Sequence, residues 1–170
     1  MRAFKLNSVI LSCANDLEIP PFPVEVDIVE EDTWQLMAAD TVATDLDEHP
    51  IRLMTSLIDQ QPATPGEVIE KGNQWRTVIF DLDEDPPCRP EWVKTALERV
   101  MELIVQHGIN SLSMPLPAYQ QHCLSCRSAT RLLLNSLQML PADKSLSVWL
   151  KIPGSGLEQV ISELERQISP

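Results

Sequence analysis

The pattern of hydrophobic and polar positions in the second half of the chain alternates between helix-like and strand-like segments. The longest helical pattern begins at Pro90, which suits a first helical turn, and ends at Gly108, which suits a helix end. Its apolar face is formed by five residues that recur with the helical period: Val93, Ala96, Leu97, Val100 and Ile104. Two more helices are predicted over residues 126–140 and 157–168, the latter with Ser155 as its N-cap.

Short apolar runs predict the strands that alternate with these helices. Residues 110–114 and 146–152 each follow a predicted helix, and residues 8–12 form a buried strand near the start of the chain. Because helical crossovers connect parallel strands, we expect the strands at residues 8–12, 77–82 and 111–114 to run parallel.

A β-hairpin is predicted in the middle of the chain. Two strand-like segments end and begin around a turn at Gly72-Asn73. We therefore expect the strand at residues 67–70 to lie antiparallel beside the strand at residues 77–80.

The first third of the chain has a weaker pattern. Three prolines between residues 20 and 23 forbid regular structure and indicate a surface connection. Residues 24–29 alternate with a period of two and predict a half-buried strand. Residues 33–39 and 49–60 have helical spacing.

The composition is that of a globular protein, with 44% apolar and 22% charged residues. At 170 residues the chain has the length of a single domain, and its alternation of strands and helices predicts an α/β fold. We expect three layers, α/β/α, with a mixed, mostly parallel sheet over residues 1–170. Because no apolar run approaches about 18 residues and no cleavage pattern follows the first one, we expect a cytoplasmic protein with no membrane partner.

Acidic residues outnumber basic residues by 25 to 13, which gives a formal net charge of −12. A field of this sign repels phosphate backbones, and no stripe of lysine and arginine offsets it. We therefore expect no binding to nucleic acid, while a local basic pocket for a small anion stays open.

Three segments follow predicted strands at the edge where open α/β sheets bind ligands, namely residues 13–16, 81–85 and 115–126. Here the chain resembles the macrodomain family. Residues 11–15 (Leu-Ser-Cys-Ala-Asn) resemble that family's strand ending in Asn-Ala-Ala-Asn, and residues 65–68 (Pro-Gly-Glu-Val) resemble its Pro-Gly-Glu hairpin. The long helix and the following strand, which ends in Met-Pro, resemble its helix followed by a strand ending in Phe-Pro.

The resemblance implies a macrodomain-like fold with a site for a nucleotide-type ligand. It gives Asn15 a role in contacting a ribose hydroxyl, although an Asn-Asp pair after a strand can equally be a simple turn. The ligand-binding residues that it implies lie in two loops: Asn15, Asp16, Ala118, Tyr119, Gln120, Gln121 and His122.

The chain departs from the family pattern in its loops. The family's first strand and its Gly-Asp-Ile turn have no room before Leu6, so the aspartate that meets adenine is expected to be missing. The prolines near residue 20 replace a glycine triplet, and residues 118–123 (Ala-Tyr-Gln-Gln-His-Cys) replace Ser-Thr-Gly-x-Tyr-Gly. Because glycine lets backbone N–H groups approach a diphosphate closely, we expect ADP-ribose binding to be weak or lost.

Three other motifs each have two interpretations. Cys123 and Cys126, spaced Cys-x-x-Cys, could be a redox pair or part of a zinc site, or a loop cysteine beside a core cysteine. The acidic residues 81–85 could hold a hard cation or form a solvated connection. Residues 153–156 (Pro-Gly-Ser-Gly) could receive a phosphate or form an ordinary turn before a helix.

These observations leave three hypotheses about function. The first is a macro-like module that binds a nucleotide or a related small molecule. The second is a non-catalytic structural or protein-interaction domain that keeps the fold alone, as the macrodomain-like amino-terminal domains of leucine aminopeptidases do. The third is a thiol-dependent enzyme that uses Cys123 or Cys126. No catalytic set, metal site or cofactor is predicted.

Overall fold

Seven strands and three α-helices are formed by the part of the chain that the computed structural model describes, residues 1–37 and 61–168. The strands are β1 (Arg2–Leu6), β2 (Val9–Asn15), β3 (Val26–Asp32), β4 (Val68–Lys71), β5 (Gln74–Phe80), β6 (Ser111–Pro115) and β7 (Leu146–Ile152). The helices are α1 (Pro90–His107), α2 (Cys126–Leu137) and α3 (Leu157–Ile168).

The strands form one mixed sheet in the order β1-β2-β7-β6-β3-β5-β4. The five inner strands run parallel, and β1 and β4 are antiparallel edge strands. Both predictions about strand direction are confirmed, because β2, β5 and β6 share one direction and Val68 of β4 pairs antiparallel with Thr77 of β5. The α/β fold with a mixed, mostly parallel sheet is therefore confirmed.

The two faces of the sheet differ in character. A buried apolar row crosses one face through neighbouring strands: Val26, Leu112, Val148 and Leu11. The next residue in each strand faces the opposite side, because side chains alternate along a strand. These residues form a second row: Asp27, Ser113, Trp149 and Ser12.

The helices pack on the apolar face. Val93 and Leu97 of α1 lie against Ile28, Ile79 and Met114 of the sheet, and α2 contacts both α1 and α3. On the opposite face, the ring of Phe22 meets the ring of Trp149 edge-on, with 6.4 Å between the centroids. The helix predicted over residues 49–60 lies outside the described residues.

The predicted ends of the three helices agree with the structure to different degrees. Helix α1 starts at Pro90 and stops at Gly108, whose φ of 70° is the left-handed conformation that glycine adopts without strain. Helix α2 starts as predicted, with the Ser125 side chain accepting the N–H of Ser128, but it ends at Leu137 rather than at residue 140. Ser155, predicted as the N-cap of the last helix, instead lies in a 3₁₀ turn, Gly154–Gly156.

The helical pattern predicted from residue 33 is wrong for the part that is described. Residues 33–37 form turns after β3, because the side chain of Asp32 accepts backbone N–H groups that a helix would use differently. Strand β1 was not predicted, since as an exposed edge strand it has little apolar patterning.

No helix among residues 1–37 and 61–168 is long and apolar enough to cross a membrane.

Candidate functional site

A cleft of about 310 Å³ lies at the carboxyl ends of the inner strands, where open α/β sheets bind ligands. Its apolar walls come from Ile28 and Val29 of β3, Pro115 of β6, and Met37. Its polar side chains, among the described residues, are Asp16, Glu30, Gln120, Gln121 and Lys151. The cleft is thus built by the ends of four different strands and by the two loops that the sequence had singled out.

Three of the predicted site residues line this cleft. Asp16 follows β2, and Gln120 and Gln121 lie in the loop between β6 and α2. All three side chains are exposed and can reach a bound molecule. Their role in binding a ligand remains a prediction.

Asn15 lies at the end of β2, and its side chain is engaged in local structure. Its Oδ1 accepts the N–H of Leu17 at 3.0 Å, which forms a turn, and its backbone N–H donates to Glu18. A Cβ added to Gly154 would lie 2.7 Å from Asn15 Nδ2, so glycine at this position lets the Asn15 amide keep its present place. The turn interpretation thus accounts for the contacts that Asn15 makes in this structure.

The remaining predicted residues support the loop rather than line the cleft. Ala118 is buried with a φ of 56°, and His122, at the exposed turn, also has a φ of 56°. The Tyr119 hydroxyl donates to Gln159 at 3.1 Å and packs so closely on Gly156 that a Cβ there would lie 2.8 Å from it. The loop therefore keeps left-handed positions without glycine.

Glu30 ties the end of β3 to this loop. Its Oε1 accepts the backbone N–H of Ala118 at an N···O distance of 2.6 Å. Burial raises the pKa of the Glu30 carboxyl to about 7, although the hydrogen bond from Ala118 lowers it. The cleft thus contains a carboxyl that titrates near neutral pH.

The two acidic residues after Glu30 are fully buried and serve the fold. Asp32 accepts the N–H groups of three residues that follow it, which are Trp34, Leu36 and Met37. Glu31 accepts the N–H groups of Asp32 and Met37, and its Oε2 lies 3.4 Å from Nη1 of the buried Arg76. The carboxylates of Glu31 and Asp32 therefore hold the loop after β3 in place.

The cationic residue of the cleft, Lys151, is already paired. Its Nζ lies 2.6 Å from Asp27 Oδ1, and Ser113 Oγ donates to the same oxygen. Asp27, Ser113 and Lys151 lie on the polar face of the sheet, where Ser113 and Asp27 are direct neighbours in β6 and β3. The ammonium charge is thus largely balanced before any ligand binds.

Of the interpretations of Cys123 and Cys126, the structure agrees with a loop cysteine beside a core cysteine, since Cys126 is buried and Cys123 is half-buried. Cys123 lies near Cys88, 35 positions earlier, while Cys126 lies near Cys13 in the core. Burial raises the pKa of Cys88 and of Cys13 to about 12 and raises the pKa of Cys126 as well. Raised values disfavour the thiolate, so these three thiols are not activated nucleophiles.

The other two motifs take simple structural roles. The acidic loop is organised by turns, with Asp81 Oδ1 accepting the N–H of Asp83 and Glu84 pairing with Arg89 at 2.7 Å. Within residues 1–37 and 61–168, no group of three or more His, Cys, Asp or Glu side chains could hold a metal ion. In the Pro-Gly-Ser-Gly segment, Gly156 N–H donates to the carbonyl of Pro153.

Sequence reasoning missed Glu30, Lys151 and the apolar walls of the cleft. A charged residue at the end of an apolar strand was the available signal for both Glu30 and Lys151. It was overlooked because the strand at Val26–Asp32 was not recognised as a central one.

The structure corrects one expectation about the start of the chain. The expectation that the family's first strand has no room before Leu6 is wrong in that a strand, β1, occupies Arg2–Leu6 and β2 follows it directly. The next parallel strand along the chain is β3, which lies near the centre of the sheet between β6 and β5.

No protein-family model matches the chain, and no curated protein matches it in sequence. Solved structures do match. A variant of the Oceanobacillus iheyensis macrodomain with ADP-ribose has a TM-score of 0.68 at 15% identity and covers 99% of both chains. The macrodomain of the same organism with ADP has a TM-score of 0.66 at 14% identity, covering 98% of this chain and 97% of that one.

The Trypanosoma brucei macrodomain in complex with ADP-ribose gives a TM-score of 0.60 at 15% identity, covering 95% of this chain and 69% of that one. At such identities the likeness establishes the fold. This chain has the macrodomain fold, as its motifs had led us to expect.

Proposed function

We propose that this chain is a single macro-like domain over residues 1–170 that binds a small nucleotide-type molecule in the cleft between Asp16, Glu30 and Lys151. It is a binding module rather than an enzyme, and it needs no cofactor. The cytoplasmic location that the sequence favours belongs to the same proposal, as does a site degenerate with respect to ADP-ribose.

The observation that carries this proposal is the position of the cleft. A ligand-sized cavity of about 310 Å³ opens where the fold's parallel strands end, and it combines apolar walls with a few polar groups. Solved structures with this fold have ADP or ADP-ribose bound.

The corrected strand order supports the same site. We infer that Asn15-Asp16-Leu17, which begins at the last residue of β2, stands where the family has Gly-Asp-Ile, and that Glu30-Glu31-Asp32, at the end of β3, overlaps the four positions of its Asn-Ala-Ala-Asn. On this assignment Asp16 is the residue that would meet a base, so the adenine-side carboxylate is retained. The Asn-Ala-Ala-Asn position is where the chain departs most, because all three residues are acidic.

A second function is favoured by those acidic residues. Because they use their carboxylates to hold the chain's own loops, the domain could keep the fold alone and serve protein interaction. Ligand occupancy of the cleft separates the two functions.

A thermal-shift screen with adenosine, AMP, ADP and ADP-ribose tests the proposal. At a concentration 100 times the dissociation constant, a ligand stabilises the folded state by about 2.7 kcal/mol. We expect at least one of the four to raise the melting temperature of the native chain, and Asp16→Ala, an exposed position, to remove the shift. Glu98→Ala, on the solvent-facing side of α1, is the matched control and should leave the ligand-induced rise in melting temperature unchanged. If none of the four compounds raises the melting temperature, the interaction domain is the better function.

A further inference from the structure

Five backbone N–H groups of the loop between β6 and α2 donate to acceptors of the chain itself. Ala118 N–H donates to Glu30 Oε1 at 2.6 Å. Four further N–H groups donate to carbonyls within the loop, those of Tyr119, His122, Cys123 and Leu124. A phosphate bound here would have to displace hydrogen bonds that the protein already makes.

The loops after β2 and β3 use their N–H groups in the same way. Asp16 N–H donates to the carbonyl of Ile152 at 3.0 Å, and Leu17 N–H donates to Asn15 Oδ1. After β3, the Asp32 carboxylate accepts three N–H groups, those of Trp34, Leu36 and Met37. None of these groups is free to receive an anion.

The charged side chains of the cleft are mostly acceptors, and the amide groups of Gln120 and Gln121 can both donate and accept. Asp16 and Glu30 bring two carboxyl groups, while the ammonium group of Lys151 is 2.6 Å from Asp27. The lining therefore carries no uncompensated positive charge among the described residues, and it repels an anionic ligand. Amino and N–H groups of a ligand would find partners there.

The apolar walls favour a flat ring. Val29, Met37 and Pro115 offer side chains without N–H or O–H groups on which a heteroaromatic ring can pack. The volume of about 310 Å³ lies at the low end of ligand pockets, which run from roughly 300 to 1,000 Å³. The cleft therefore suits one ring system with a small substituent better than a dinucleotide-sized molecule.

We propose that this cleft selects a nucleoside or free nucleobase, an amino-bearing heteroaromatic ligand without phosphate. The inference rests on the proposed function and specifies its ligand class. The carboxylates of Asp16 and Glu30 accept hydrogen bonds from the ring's amino group, and the same two groups exclude a phosphate.

Adenosine and AMP form the matched pair for a calorimetric titration, because they differ in one phosphate. At low ionic strength we expect adenosine to bind the native chain at least about tenfold more tightly than AMP, a preference equivalent to about 1.4 kcal/mol. Added salt should narrow that preference, since it screens the repulsion of the phosphate.

Two variants locate the preference in these carboxyl groups. Glu30→Gln keeps an acceptor for Ala118, and Asp16→Asn is exposed, so both are expected to fold; each should reduce the ratio of AMP to adenosine dissociation constants several-fold. Glu98→Gln should leave the ratio unchanged. AMP binding as tightly as adenosine would overturn the ligand class but leave the proposed function standing. Absence of binding by adenosine, AMP, ADP and ADP-ribose alike would overturn both.

Discussion

At the scale of single residues, Glu30 lies near the end of β3 with a carboxyl group whose pKa is raised by burial. Its carboxyl group accepts a short hydrogen bond from a residue 88 positions away while lying beside the apolar side chains of Ile28 and Ile79. Cys88 and Asp16 are the other titratable groups near it, and Lys151 shares its cleft. Because burial raises the pKa of Glu30 from 4.5 to about 7, the folded state holds a proton that the unfolded state releases at lower pH.

The first prediction concerns pH and stability. A raised acid pKa means that the contribution of Glu30 is fully present below pH 4.5 and is lost as the pH rises through about 7. The loss corresponds to about 3 kcal/mol, at 1.36 kcal/mol for each pH unit. Glu30→Gln should therefore match the native chain near pH 4.5 and exceed it by about that amount at pH 8 in urea melts. If the free energies of unfolding of the two proteins changed in parallel between pH 4.5 and pH 8, the raised pKa of Glu30 would be contradicted.

The second prediction concerns the left-handed turn at His122. A φ of 56° costs a residue with a side chain roughly 1–2 kcal/mol, and glycine escapes that cost but loses up to about 1 kcal/mol through the unfolded chain. His122→Gly should therefore be neutral or stabilising by up to about 1 kcal/mol in thermal melts. The neighbouring Gln121 is equally exposed but has no positive φ, so Gln121→Gly should destabilise by about 0.5–1 kcal/mol. Equal effects at both positions would speak against the turn geometry.

At the scale of elements, α1 is the helix whose packing is most directly testable. Leu97 is buried against the sheet, whereas the adjacent Glu98 pairs at 3.7 Å with Lys94 on the exposed side. Leu97→Ala should cost about 2–4 kcal/mol by leaving a cavity, and Glu98→Ala should change the free energy of unfolding by less than about 0.5 kcal/mol. Urea melts of the two variants measure both values. Similar losses would mean that the helix presents a different face to the sheet.

The elements that were predicted well are those whose signals are local. Helix α1 carries its start at Pro90, its end at Gly108 and its apolar period within one stretch of sequence. The hairpin from Val68 to Phe80 likewise carries its turn between its strands. Local chemistry decides these elements, so the sequence predicts them.

The elements that were misjudged depend on distant partners. The pattern of β3 is compatible with an edge strand, and its place between β5 and β6 depends on pairing with residues 47 to 86 positions away. The turns at residues 33–37 are fixed by the Asp32 side chain, which a helical period does not reveal. The prediction of the site failed for the same reason. The contact between Glu30 and Ala118 exists only once β3 and β6 are neighbours in the sheet.

At the scale of the whole molecule, the chain has the macrodomain fold, and its loops make many of their hydrogen bonds to the chain itself. Solved structures with this fold hold ADP-ribose. Here several loop N–H groups are satisfied by the chain's own carbonyls and by the carboxylates of Glu30 and Asp32. Contacts that maintain the fold therefore occupy several of the donors that an anionic ligand would use.

The last prediction follows for ADP-ribose itself. Binding the diphosphate would require several charge-assisted hydrogen bonds worth roughly 1.5–3 kcal/mol each, and several of the loop N–H groups are engaged elsewhere. Loss of two such bonds converts micromolar binding into millimolar binding, and the net charge of −12 adds a further long-range penalty. We expect titration calorimetry at physiological salt to give a dissociation constant weaker than about 100 μM. A tighter constant that Asp16→Ala abolishes and Glu98→Ala does not would mean that the loops open to receive the diphosphate, against the closed geometry of Ala118 and Asp32.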